Sequence, residues 1–166
     1  MNRRGFTLIE LVVTLVIISM AMLLVIPRLP SSESENLKSS ARTLASTLRY
    51  LQERAAAGRT IYYLRLAPGT DQVKVLERGD DGSEKEPGDP LLRQRPVKEG
   101  IQVADLFIPR LGKVYDGQLR LEVGMGGIRD FVVIHLRSTD GNFWTVMAFP
   151  SSGKVKVYDG YQEEPL

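Results

Sequence analysis

The apolar and polar positions of this chain change their period twice. From Phe6 to Ile26 the sequence runs FTLIELVVTLVIISMAMLLVI, 21 residues with a single charge, Glu10. As a helix rising about 1.5 Å per residue, such a run spans roughly 30 Å, the hydrocarbon thickness of a bilayer. Pro27 and Pro30 then interrupt the pattern, since each removes a helix hydrogen bond. Beyond them Leu37, Ala41, Leu44, Leu48, Leu51 and Ala55 recur at steps of four and three, with Lys38, Arg42, Arg49 and Glu53 on other faces. That spacing predicts an amphipathic helix with one buried stripe, opened by Ser32 and Glu35 at capping-box spacing and closed near Gly58.

After Gly58 the period becomes two. Strands are expected at residues 61–66, 72–78, 101–103, 118–123, 131–137, 143–149 and 154–158. Pro68-Gly69, Asp116-Gly117, Gly126-Gly127, Asp140-Gly141 and Ser152-Gly153 mark turns between them. Residues 79–100, rich in Gly, Pro and charge, read as a long exposed loop. One long N-terminal helix, transmembrane and then amphipathic, packed on an antiparallel β-sheet head domain is an α+β plan.

Composition alters this picture little. The 166 residues are 43% hydrophobic and 25% charged, room for one domain and an anchor. The absence of cysteine excludes disulfides, thiolate metal sites and a cysteine nucleophile. The formal charge of +2 rests on Arg3 and Arg4; without them 20 basic residues face 20 acidic ones, so charge alone predicts no nucleic-acid partner. Those two arginines precede the apolar run and place the N-terminus in the cytoplasm with the remainder outside.

The candidate chemistry is sparse. His135, the only histidine, sits on the more polar face of a predicted strand without a metal partner nearby in sequence. Asp80-Asp81-Gly82-Ser83-Glu84 lacks the spacing of a calcium loop. Gly124-Met125-Gly126-Gly127 lacks the lysine of a phosphate loop. Ser138 to Asn142 reads as a hairpin turn, and Trp144 as core. No catalytic residue, metal site or cofactor is expected.

Glu10 is the anomaly. A carboxylate inside a membrane helix costs on the order of 2.5–3.5 kcal/mol on insertion scales. Cleavage between Gly5 and Phe6 would supply a partner, because Phe6 would then carry a free α-ammonium four residues upstream. At about 4 Å and an effective dielectric near 20 such a pair is worth roughly 4 kcal/mol before desolvation. Arg4-Gly5-Phe6-Thr7-Leu8-Ile9-Glu10-Leu11 resembles the signal of type IV pilins and type II secretion pseudopilins. The resemblance implies a prepilin peptidase that cuts after Gly5 and methylates Phe6, a filament-assembly role for Glu10 and a helix kink at Pro27. It divides the chain into a leader (1–5), a transmembrane and filament-core helix (6–27) and a periplasmic head (28–166).

The C-terminal pattern, Gly141-Asn142-Phe143-Trp144-Thr145-Val146 and then Phe149-Pro150-Ser151-Ser152-Gly153-Lys154-Val155, resembles the closing hairpin of the GspH/FimT family. The implied protein is a minor pseudopilin, not an enzyme, that helps initiate or tip the filament driving export across the outer membrane. Its implied partners are other pseudopilins, the prepilin peptidase, the inner-membrane assembly platform and secreted cargo. The alternative, a FimT-like minor pilin that binds DNA, needs a basic patch. Against it stand the acidic stretch from Tyr158 to Glu164 and the small number of candidate cations: Lys154 and Lys156, or Arg93, Arg95 and Lys98.

Overall fold

The computed structural model describes residues 7–25, 32–150 and 152–163. The chain divides into two units, Met1–Ser31 and Ser32–Leu166. In the first, α1 spans Leu8–Val25. Its side chains from Leu8 to Met22 are exposed on every face, including Leu8, Val13, Ile17 and Met20. A helix apolar all round has no amphipathic side to dock on a sheet and demands an apolar environment. Among the described residues no helix is long and apolar enough to cross a membrane. The 18 residues of α1 reach about 27 Å against the roughly 30 Å of a bilayer core. Phe6 and Ile26, which complete the apolar run, lie outside the described residues.

The second unit opens with α2, Ser32–Gly58, whose Leu37, Ala41, Leu44, Ala45, Leu48, Leu51 and Ala55 are all fully buried. The expected stripe is therefore the face that meets the sheets, joined by Ser40 and Gln52. Two antiparallel sheets follow rather than one. The first comprises β1 (Tyr62–Leu66), β2 (Val73–Arg78), β3 (Glu84–Lys85), β6 (Leu119–Gly124) and β7 (Gly127–Ile128), in the order β3-β2-β1-β6-β7. The second comprises β4 (Gln102–Ile108), β5 (Gly112–Val114), β8 (Val132–Arg137), β9 (Phe143–Ala148) and β10 (Val155–Asp159), in the order β10-β9-β8-β4-β5. α2 packs on β6 and β7 of one sheet and on β8, β9 and β10 of the other. One core thus serves both sheets, with Leu64, Val75 and Leu121 from the first and Leu106, Ile134 and Val146 from the second.

Register explains which residues reach that core. Leu64 lies opposite Val75 on one side and Leu121 on the other, so three apolar positions share one face. In β4 a bulge between Val103 and Asp105 breaks the alternation. Val103 and Leu106 are both buried in the core, which strict alternation would forbid, while Asp105 comes to lie opposite His135 on the other face. The expected strand at 101–103 is accordingly the start of a longer one whose second half changes phase.

Residues 79–100 are not a free loop. β3 pairs with the end of β2, and Pro90–Arg93 forms a 3-10 turn capped by Asp89. Leu92 and Val97 are buried, and the Lys98 amide donates to Ser40 Oγ at 3.0 Å. Apolar residues spaced too irregularly to show a period nonetheless anchor the segment to α2.

Candidate functional site

Two places carry more polar structure than a plain scaffold needs. The first is the start of α1. Thr7 precedes the helix, and its hydroxyl accepts from the Glu10 amide at 3.3 Å while its carbonyl accepts from the same amide at 3.1 Å. Thr7-Leu8-Ile9-Glu10 has capping-box spacing, and the helix begins where that spacing says it should. A carboxylate at this position also meets the positive end of the helix dipole. Further along, the Thr14 hydroxyl donates to the Leu11 carbonyl and the Ser19 hydroxyl to the Leu15 carbonyl, each at 2.8 Å. Both hydroxyls are thereby satisfied within the helix. Among the described residues, no cation pairs with Glu10. Gly5, Phe6 and Pro27, the other positions singled out by the sequence, lie outside the described residues.

The second place is the outer face of the second sheet. After β10 the chain turns at Gly160, whose φ of 79° suits glycine, and residues 160–163 cross back over β9, β8 and β4. The Gly160 carbonyl accepts from Thr145 Oγ1 at 2.7 Å, and the Gln162 amide donates to the same oxygen at 3.0 Å. Tyr161 stacks on the His135 ring with centroids 3.7 Å apart and meets Phe143 edge-on. Its hydroxyl donates to both Asp105 oxygens at 3.2 and 3.1 Å. His135 Nδ1 lies 2.7 Å from Asp105 Oδ1, and Nε2 lies 3.0 Å from the Gln162 carbonyl. Both ring nitrogens are therefore engaged. Lys113 and Glu163 close the rim with a 2.7 Å ion pair. That pair holds the Glu163 carboxyl below its ordinary value and the Lys113 ammonium above its own. Burial, reinforced by the Asp105 carboxylate, raises the Tyr161 phenol.

This network was not legible in the sequence. His135 is fully buried, because the C-terminal segment covers the face on which alternation places it. With both nitrogens engaged and no exposed surface, it has no atom available for acid–base work. The network locks the end of the chain to the sheet. Its one sequence signal was the aromatic Tyr161 within an otherwise acidic tail.

The remaining candidates have ordinary surroundings. Asp81 accepts from the Ser83 amide and hydroxyl in the tight turn between β2 and β3, and Glu84 pairs with Arg65 and Arg120. Among the described residues no group of three His, Asp or Glu side chains is placed to hold a metal. Ser138 and Asn142 close the expected hairpin turn, with Gly141 at a φ of 82°. Trp144 packs, partly buried, against the core. Of the cations weighed for DNA, Arg93 donates to the Pro87 and Gly88 carbonyls, Arg95 pairs with Asp71, and Lys98 donates to Asn36.

Comparison with known proteins bears on both places. Residues 1–26 match the family model for the prokaryotic N-terminal methylation motif. Over 101 residues the chain is 32% identical to the type II secretion system protein H of Vibrio cholerae serotype O1, covering 60% of this chain. The match spans 52% of that relative, so the chain spans about half the length of the curated protein it resembles. Two structures of the minor pseudopilin EpsH from the type II secretion system of Vibrio cholerae share the fold. One aligns with a TM-score of 0.63 at 19% identity, over 78% of this chain and 98% of the other. The second gives a TM-score of 0.57 at 21% identity, over 75% and 97%. The fold is that of a minor pseudopilin. In this chain α2 and the two sheets form the second unit, and the stretch that matches the methylation motif includes α1.

Proposed function

We propose that this chain is a minor pseudopilin of a type II secretion system, a structural subunit that helps initiate or tip the filament driving protein export. Residues 1–5 serve as leader, 6–27 as membrane anchor and later filament-core helix, and 28–166 as periplasmic head. Cleavage after Gly5 and methylation of Phe6 by a prepilin peptidase generate the mature subunit. It resides in the inner membrane with its N-terminus cytoplasmic, then enters a periplasmic filament with other pseudopilins through the assembly platform. The chain acts by assembly and not by catalysis.

The observation that carries this reading is the character of α1. Its Thr14 and Ser19 hydroxyls are satisfied internally, its apolar side chains are exposed on all faces, and Glu10 stands in its first turn. Leaving that carboxylate in lipid costs on the order of 2.5–3.5 kcal/mol. Pairing with an α-ammonium offsets a cost of that size, at roughly 4 kcal/mol before desolvation for about 4 Å and a dielectric near 20. The pair favours transfer of the helix from lipid into a bundle of like helices. The test is Glu10→Val in the intact system: the variant should insert in the membrane at normal level yet be lost from sheared filaments. Normal incorporation of Glu10→Val would remove the pairing argument. Gly5→Leu should accumulate the uncut precursor.

A further inference from the structure

Among the described residues the two sheets end in β3, β7, β5 and β10. β3 and β7 have two residues each and β5 has three, whereas β10 has five. A bare edge of that length offers a row of main-chain donors and acceptors to another chain, and folded proteins usually blunt such rows. The ladder shows which groups of β10 are left over. The Phe149 amide donates to the Lys154 carbonyl and the Gly160 amide to the Phe143 carbonyl, each at 2.9 Å. In an antiparallel pair every second residue turns its N–H and C=O towards the neighbour. Lys154, Lys156, Tyr158 and Gly160 thus bond β9, while Val155, Val157 and Asp159 turn their main-chain groups outward. Two outward carbonyls agree with this phase: that of Val155 accepts from Arg49, and that of Asp159 from Gln162 Nε2 at 3.5 Å. Among the described residues nothing bonds the outward N–H and C=O of Val157.

A cleft of about 610 Å³ lies beside the start of β10, between α2 and the β6–β7 and β9–β10 turns. At its base is Gln52, 9% exposed, with neither amide atom hydrogen-bonded among the described residues. Buried amides are almost always paired, so this one points to a missing complement. Gly127 and Gly153 keep side chains away from it, since a Cβ there would stand 3.0 and 3.2 Å from Gln52 Oε1. The charges around the cleft cancel. Arg49 is bound to the Val155 carbonyl, Lys154 is balanced by Glu53, and Lys156 lies over the Phe149 ring on the other face of the sheet.

We propose that β10 takes up an extended, uncharged segment of another protein chain as an added antiparallel strand. One residue of the segment lies opposite Val157 and bonds both of its outward groups. The residue opposite Val155 turns its side chain to the core face, the side on which Val155 and Val157 pack, and so enters the cleft. An Asn or Gln at that place supplies the donor and the acceptor that Gln52 lacks, once the Gln52 amide turns towards the cleft. Main-chain bonds give the affinity and the cleft selects one side chain, the division of labour of strand addition. The inference rests on the head alone and does not depend on the filament reading.

The test is an NMR titration of the ¹⁵N-labelled full chain in detergent micelles with acetyl-Thr-Val-Thr-Val-Thr-Gln-Thr-amide. Binding should shift the Val155, Val157 and Asp159 amides, slow their hydrogen exchange and move the Gln52 side-chain NH₂. N-methylation of the peptide's central valine removes the donor to the Val157 carbonyl and should weaken binding about tenfold or more. Val157→Pro deletes an outward N–H without touching the β9 ladder, and should weaken binding likewise while the rest of the spectrum stays in place. Glutamate or lysine in place of the peptide's glutamine should each bind several-fold more weakly. The proposal is overturned if the N-methylated peptide binds as the parent does, if Val157→Pro folds and binds normally, or if the shifts fall away from β10. It is equally overturned if the charged peptides bind as tightly. Protection of the same amides in the free chain, with a doubled mass in sedimentation, would assign the edge to a second copy and overturn it too.

Discussion

Replacing Asp105 by alanine should unfasten the C-terminal segment and cost the head a large share of its stability. Asp105 is 5% exposed and His135 fully buried. The substitution removes the 2.7 Å contact to His135 and both acceptors of the Tyr161 hydroxyl. It leaves a buried ring nitrogen and the Tyr161 hydroxyl each without a partner, and at about 1–3 kcal/mol for each unsatisfied buried polar group the two together cost about 3–5 kcal/mol. For a unit of this size each kcal/mol lowers Tm by about 3–4 °C, so the fall is roughly 10–20 °C. Asp105→Asn, which keeps an acceptor in place, should cost only about 1–2 kcal/mol. Urea denaturation followed by tryptophan fluorescence is the assay. The chain has one tryptophan, Trp144, paired across the strands with Leu136 and Asp159, so it reports on this sheet. A cycle with His135→Ala should give a coupling of at least about 1.5 kcal/mol. An Asp105→Ala cost below about 1 kcal/mol, or strict additivity with His135→Ala, would refute the reasoning.

Other expectations concern the rest of the head. Leu48→Ala, at a fully buried position of the α2 stripe, should cost about 2–5 kcal/mol in the same urea assay. Gly127→Ala should destabilise more than Gly82→Ala: both have φ near +80°, but only at Gly127 does a Cβ meet the Gln52 oxygen, while Gly82 faces open space. Comparing the two urea midpoints checks this. The head should also be acid-sensitive. The Tyr50 hydroxyl donates to Asp89 at 2.6 Å and holds its carboxyl below the ordinary value, as the Arg120 guanidinium does for Glu84. A carboxyl depressed in the folded state contributes stability that is complete above its unfolded value, near 4, and is lost as pH falls through the folded value. Urea midpoints should therefore drop below about pH 4, and Asp89→Asn should flatten that drop.

Much of this architecture follows from local pattern. The stripe from Leu37 to Ala55 predicts α2 because every member lands on one face at helical spacing. Strands such as 131–137 and 143–149 alternate strongly enough to be read to within a residue. What escaped has a physical reason in each case. β3, β5 and β7 are two or three residues long, too short to show a period, and are held in place by their neighbours. The bulge after Val103 makes one strand look like a shorter one. His135 reads as a polar-face residue until the segment around Tyr161 covers that face, a contact 26 residues away in sequence. The division into two sheets depends on β6 pairing with β1 rather than with β5, which alternation alone does not encode. At the N-terminus, the Thr7 cap was present in the sequence as Thr-Leu-Ile-Glu, a capping box beside the signal it forms part of.

The central claim is that this chain becomes a pseudopilin by losing its leader and gaining a methylated phenylalanine. Intact-protein and N-terminal peptide mass spectrometry of the chain from native membranes tests it most directly. The account predicts a mature subunit starting at N-methyl-Phe6, with Glu10 four residues beyond the new amine. A chain still beginning at Met1, or one cut beyond the apolar run so that α1 is lost, would contradict it.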